Sequence, residues 1–274
     1  MWLSWDQGAG LVVAALAAAA AVKRARPQWS RVAAFLTEMS LVAGLYTVWQ
    51  LVGALPTRTV SAAARHGLWI WHIEQRLDLP SELAMQHGVI NHPLWVQASN
   101  GFYAVVHVPA LGAFLVWLYL AHRERYARYR NALAVLTLLC LVSHLYPVAP
   151  PRLLSGVGFV DTGLRYHQSV YGSVGAAGMS DQVSAMPSLH IAWALLIAVA
   201  VISVSRSRWR WLIVLHPALT MLVVVVTANH FWLDGVAVAP LLATSLLSVR
   251  SVEAWLSHDE PAPATEASPS LEHV

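Results

Sequence analysis

The chain has 274 residues, of which 57% are hydrophobic and only 11% charged, with a mean hydropathy of +0.55. Soluble globular domains carry about a quarter charged residues, so this composition excludes an ordinary water-soluble enzyme and fits an all-α integral membrane protein. Seventeen Lys and Arg against 14 Asp and Glu give a formal charge of +3; in so apolar a chain that excess reports topology, and no nucleic acid is expected as a partner.

A helix crossing a ~30 Å hydrocarbon core needs about 20 residues. Hydropathy predicts spans at 7–22, 32–55, 94–121, 131–148, 187–205, 209–228 and 231–249. The first is the weakest, being rich in Ala, which contributes little to insertion. Its N-terminus, Met1-Trp2-Leu3-Ser4, lacks the basic start of a cleavable signal, so this span is expected to be retained. Between the second and third spans, 56–93 is helical in pattern but punctuated by Arg58, Arg65, Glu74, Arg76, Asp78 and Glu82. That predicts amphipathic helices on the membrane surface, with Trp69 and Trp71 at the interface. The lone Cys140 lies inside an apolar run, which excludes an intrachain disulfide. From 257 to 274 a Pro-, Ala-, Ser- and Glu-rich tail is expected to be disordered. The division predicted is 1–28 as an N-terminal span with its basic loop, 29–256 as a catalytic membrane domain, and 257–274 as a cytoplasmic tail.

Basic residues separate between alternate loops. Lys23, Arg24, Arg26 and Arg31 follow the first span; Arg123, Arg125, Arg128 and Arg130 join the third and fourth; Arg206, Arg208 and Arg210 join the fifth and sixth. By the positive-inside rule these loops are cytoplasmic, which puts the N-terminus outside and the C-terminus inside. The loop 149–186 and the starts of the fifth and seventh spans then share the extracytoplasmic face of the plasma membrane.

Three polar strings gather on that face. In Tyr146-Pro147-Val148-Ala149-Pro150-Pro151-Arg152 the prolines end the fourth span, because proline lacks the N–H that a continuing helix needs. Arg152 is thereby held near the interface, either snorkelling to lipid headgroups or offering a fork of donors to phosphate oxygens. In Pro187-Ser188-Leu189-His190, Pro187 suits a first helical turn whose free N–H groups form an anion site beside His190. In His230-Phe231-Trp232-Leu233-Asp234, the histidine and aspartate are four apart and share a helical face. The carboxylate would fix the imidazole tautomer and make His230 the better nucleophile; the plainer alternative is a His–Asp pair that satisfies itself. Asp161, Arg165 and Tyr166 in the outer loop could meet a polar headgroup, although solvation alone accounts for them equally. Tyr103, His107 and His144 lie inside spans, where interhelical hydrogen bonding is as good a reading as function.

These strings resemble the type 2 phosphatidic acid phosphatase superfamily, and within it the branch that includes the fungal inositol phosphorylceramide synthases. Pro187 to His190 is similar to that branch's second motif, His230 with Asp234 to the His-x-x-x-Asp of its third, and Ala149-Pro150-Pro151 to its proline-rich exit. The resemblance covers about 130–250 and implies a six-helix phosphatidic acid phosphatase-type core, with one additional N-terminal transmembrane helix. It implies that His230 attacks phosphorus and becomes a phosphohistidine, that Asp234 orients it, and that His190 protonates the departing alkoxide. Arg152 and backbone N–H groups around Ser188 would hold the phosphoryl oxygens, and no metal or other cofactor is implied. Two departures stand out. The Ser-Arg usual upstream of the third motif is replaced by Val223-Val224, and the Lys-x-x-x-x-x-x-Arg-Pro first motif is absent.

Both departures recur in the inositol phosphotransferase branch, so the resemblance favours transfer over hydrolysis. The expected activity is transfer of a phosphoinositol-like headgroup from a phospholipid to a lipid or glycan acceptor. The runner-up is an extracytoplasmic phosphatase acting on phosphatidic acid or a polyprenyl (pyro)phosphate. A metal-dependent intramembrane hydrolase with His190, His230 and Asp234 as ligands is a weaker alternative, as is a non-enzymatic scaffold or transporter.

Overall fold

The computed structural model describes residues 4–53, 59–169 and 182–258. Arg58, the end of the second expected span and the tail from 259 onward lie outside the described residues. Helices follow one another in chain order: α1 (Trp5–Ala25), α2 (Ser30–Gly53), α3 (Val60–Arg76), α4 (Glu82–Ile90), α5 (Pro93–Val105), α6 (His107–Ala121), α7 (Arg123–Ser143), the single turn α8 (Thr162–Arg165), α9 (Leu189–Val204), α10 (Leu215–Val226) and α11 (Leu233–His258).

Local chemistry sets the starts. Thr59 Oγ1 accepts from Ala62 N–H at 3.3 Å and Ser81 Oγ from Ala84 N–H at 3.2 Å, so each caps donors that the first turns of α3 and α4 would leave unpaired. Pro93 opens α5, where the missing N–H costs nothing.

Four helical stretches, Trp5–Ala25, Pro27–Val52, Arg208–Val226 and Leu233–Ser257, are long and apolar enough to cross a bilayer, and α5 with α6 forms a further pair. The outward faces agree: Leu120 is 76% exposed, Val108 68% and Val236 66%, on helices where water would penalise such surface. The protein is a multi-pass membrane protein. Its main core joins α6, α7, α9, α10 and α11 through Phe114, Leu136, Cys140, Leu196, Val224 and Val238. A second cluster, including Ala63, Ile70, Val148, Ala185 and Phe231, packs α3 against the loops that follow α7 and precede α9 and α11. At the opposite end, Arg128 pairs with Glu253 of α11 at 2.7 Å and Arg130 with Glu38 of α2.

Several boundaries differ from the hydropathy reading. The third span is two helices bent by 48° around Val106. The fourth begins at Arg123, within the expected loop, and ends at Ser143, because His144 to Ala149 run toward the prolines as turn and extended chain. The sixth opens as a 3-10 helix at Arg208–Val214, and α11 runs on to His258. The largest correction concerns 56–93. Trp69 is exposed, but Glu74 and Glu82 are buried, with Glu74 held against the start of α11. His66 Nδ1 reaches Pro147 O at 2.7 Å and its ring stacks on Tyr146 at 4.0 Å.

Candidate functional site

The proline-rich exit from α7 has no helical partners for its backbone, and buried backbone groups must be paired. It finds them in the other two loop ends. Val148 N–H donates to Val183 O at 2.9 Å, Ala185 N–H donates to Val148 O at 3.0 Å, and Arg152 N–H donates to Ala228 O at 2.9 Å. His144 Nε2 lies 3.0 Å from Pro187 O, which seats the loop entering α9. The three strings that the sequence separates by up to 80 residues thus form one knot.

His230 leaves this knot on a tight turn. Ala228 adopts φ 54°, the left-handed conformation that commonly ends a helix. Asn229 and His230 then both donate their N–H to Val224 O, at 2.9 and 3.2 Å. His230 Nδ1 sits 2.9 Å from Asp234 Oδ2 and 2.6 Å from Ala185 O. Both neighbours are acceptors, so Nδ1 carries the hydrogen and Nε2 keeps its lone pair. Asp234 Oδ2 also accepts from Phe231 N–H at 3.1 Å. The expected helical face is corrected here: His230 precedes α11, and the pair meets across the helix start.

Opposite stands His190, the second residue of α9, with its ring centroid 5.9 Å from that of His230. The bend between α5 and α6 brings two further rings to it. Tyr103 lies 4.5 Å away on one side of the bend and His107 4.5 Å away on the other. His107 is buried, and its ring nitrogens have no hydrogen-bond partner among the described residues.

Pro187 does not occupy the first turn of α9. Ser188 is its N-cap, accepting from Ile191 N–H at 3.4 Å with no exposed surface. Arg152 sits on a 3-10 turn, Pro151–Leu153, and is buried. Its Nε donates to Asp161 Oδ2 at 3.1 Å and its Nη2 to Gln182 Oε1 at 3.2 Å. Asp161 Oδ1 in turn caps α8 by accepting from Leu164 N–H at 2.9 Å. Asp161 is therefore the partner of Arg152 in this structure, whereas Arg165 is exposed and lies over its neighbour Tyr166 at 5.9 Å.

A small, open recess runs beside these groups, lined by Asn100, Tyr103, Arg152, Asp161, Gln168 and Asn229. Arg165 and Tyr166 are not in its lining. Its wall is braced from α5: Asn100 Nδ2 donates to Thr162 O and to Gln168 Oε1, both at 3.1 Å, and Asn100 Oδ1 accepts from Thr162 Oγ1 at 2.9 Å. Gln86 of α4 clamps the same loop, pairing with both the N–H and the C=O of Val160 at 2.9 Å. Asn100, Gln168 and Gln182 escaped the sequence reading. The signal for Asn100 was present, a carboxamide inside an expected membrane span.

The structure thus brings together an imidazole whose Nδ1 is committed to acceptors, a second imidazole and, in the wall of the open recess, a guanidinium, side chains of the kinds that attack, protonate and hold phosphoryl groups. Among the described residues no three His, Cys, Asp or Glu side chains are grouped as metal ligands. Comparison with family models matches residues 68–248 to the PAP2 superfamily. No curated protein and no solved structure matches the chain.

Proposed function

The chain belongs to the PAP2 superfamily, and on that premise we propose that it is a membrane phosphotransferase that moves a phosphoinositol-like headgroup from a phospholipid to a lipid or glycan acceptor. His230 Nε2 attacks phosphorus, and the bond to the lipid alkoxide breaks as His190 supplies the proton. Asp234 keeps the hydrogen on Nδ1 and stabilises the charge that develops on the ring. In the second step the acceptor hydroxyl returns a proton to His190 and takes the phosphoryl group from His230. The balance closes without any other reactant.

The observation that carries this reading is the geometry of His230, with Nδ1 committed to two acceptors and Nε2 left for chemistry. Arg152, with backbone N–H groups around Ser188, holds the phosphoryl oxygens in the proposal. Val223 and Val224, where the superfamily commonly has Ser-Arg, are buried in α10, so they add no cation at that place. Asp161 acts on the headgroup through Arg152, and Arg165 and Tyr166 meet it only at the rim. The proposed architecture is a six-helix core of α2, α5–α6, α7, α9, the Arg208–Val226 stretch and α11, preceded by α1. The site faces outward from the plasma membrane, and the C-terminus is cytoplasmic by the positive-inside rule.

Purified protein in vesicles with headgroup-labelled phosphatidylinositol and a hydroxylated acceptor tests it. Label is expected in a new lipid or glycan product. Free inositol phosphate with no such product would replace the transferase with the phosphatase reading.

A further inference from the structure

Behind His230 and Asp234 two acidic side chains are buried without an evident reason. Glu74, near the end of α3, is 2% exposed, and Glu82, at the start of α4, is 3% exposed. Glu74 Oε1 accepts from Leu233 N–H at 2.7 Å, the backbone donor immediately before Asp234. Glu74 Oε2 and Glu82 Oε1 have no partner among the described residues. The two carboxyl groups lie within hydrogen-bonding reach of each other. The charged groups facing Glu74 are Glu82 from α4 and Asp234 from α11, all acidic, with His230 beyond Asp234.

Two ionised carboxylates cannot share so dry a place, because each buried charge would go unpaired and the two would repel. One proton removes both difficulties. A protonated Glu74 can donate its O–H to Glu82, which gives the buried pair a hydrogen bond in place of a repulsion. Burial, and next the neighbouring Glu82, push the Glu74 carboxyl up to about 9. The same proton spares Asp234 an additional negative neighbour, leaving its charge to His230.

The pair also has mechanical consequences. Leu233 N–H is one of the first donors of α11, which no residue within that helix can satisfy. Glu74 satisfies it from outside, and Trp232 Nε1 donates to Pro80 O at 2.7 Å in the connector between α3 and α4. The turn that presents Asp234 is thus fastened to the surface helices.

We propose that Glu74 and Glu82 share one proton, and that this pair is a positioning clasp that holds the first turn of α11 and with it the Asp234 carboxylate behind His230. The clasp rests on the reading of His230 and Asp234 as the reacting pair. Neither glutamate touches the substrate.

Glu74→Gln keeps the clasp without the proton: its amide N–H donates to Glu82 and its carbonyl oxygen accepts from Leu233 N–H. Its transfer activity at pH 7 is expected to stay close to that of the unmodified protein, and it should lack the alkaline decline that the unmodified protein shows near pH 9. Glu74→Ala is expected to lose about 10- to 100-fold in kcat with KM little changed, the size of effect that misplacing a reacting group produces. If Glu74→Gln falls as far as Glu74→Ala, or keeps the same alkaline decline, the clasp is wrong. Infrared spectroscopy of the protein in vesicles gives a readout that needs no turnover. A protonated carboxyl C=O band is expected at pH 7 and should vanish in Glu74→Gln. Absence of that band in the unmodified protein overturns the shared proton. A band present in a protein with no transfer or phosphatase activity would instead sink the proposed function and leave the shared proton standing.

Discussion

Gly67 tests whether the surface helix α3 sets the geometry of the site. A methyl group there would lie 2.5 Å from Ala149 O and 3.0 Å from Leu154 Cδ2, against an ordinary contact of 3.4 Å or more. The oxygen belongs to the backbone and cannot swing aside, so α3 or the exit loop must move by about 0.9 Å, the difference between 3.4 and 2.5 Å. Ala149 is three residues from Arg152, whose N–H is tied to Ala228 at the turn before His230. A shift of that size at reacting groups is worth roughly 100-fold in rate, and shared relaxation reduces this, so Gly67→Ala is expected to lower kcat about 10- to 100-fold. Helix propensity alone predicts the opposite sign, a gain of up to about 1 kcal/mol in stability. Gly88→Ala and Gly112→Ala supply the comparison, since a methyl at either meets nothing within 4 Å. Both should keep activity and melt at or above the temperature of the unmodified protein. Turnover of labelled phosphatidylinositol in vesicles, together with thermal melting in detergent, reads all three. Gly67→Ala with turnover within about twofold of normal and unchanged melting would refute the coupling of α3 to the site.

Removing the proposed nucleophile is the sharpest chemical test: His230→Ala should abolish a trappable phosphoenzyme and reduce turnover at least about 1,000-fold, while Asp234→Asn, which lets the wrong tautomer form, should cost roughly 100- to 10,000-fold with substrate binding retained. Arg152→Lys keeps the charge but loses the fork that spans Asp161 and Gln182, so a fall in kcat/KM of about tenfold or more is expected in the same assay. Stability should depend on pH through Glu74. The folded chain holds its proton until about pH 9 and an ordinary glutamate until 4.5, so the folded state binds the extra proton between those values. Its contribution is full below pH 4.5 and declines as pH rises toward 9. Melting temperatures measured from pH 5 to 10 should fall less steeply for Glu74→Gln than for the unmodified protein.

The sequence made the helical membrane class and the strings at 150–152, 187–190 and 230–234 legible, because both depend on local signals: apolar length, charge alternation, and polar residues at helix mouths. That His190 and His230 come within 5.9 Å of each other is consistent with those strings sharing one face. What stayed hidden depends on packing between distant segments. Glu74 looks like any charge on an amphipathic helix, and only the docking of the end of α3 on the start of α11 shows that it is buried. Asp161 looks like a loop residue open to solvent until the 151–153 turn swings Arg152 onto it. The bend at Val106 had a local signal that the hydropathy reading passed over: Pro109 has no N–H to give Val105 O and its ring crowds that carbonyl, and the resulting kink brings Tyr103 and His107 to His190. The His-x-x-x-Asp spacing gave the right contact by a different route, a turn in place of a helical face.

On the proposed architecture, in which α9 spans the bilayer, its length sets how deep His190 lies. Its 16 residues make a rod of about 24 Å at 1.5 Å per residue, against a hydrocarbon layer of about 30 Å. The far end is pinned to water by Arg206 and Arg208 directly after it, so the shortfall of about 6 Å collects at the end that carries His190. On the proposed function, a phosphodiester reaching that imidazole has either to descend below the plane of its neighbours' headgroups or to meet a locally thinned bilayer. Lipid approaching sideways can keep its acyl chains in hydrocarbon throughout, while a soluble phosphate ester has to enter a well.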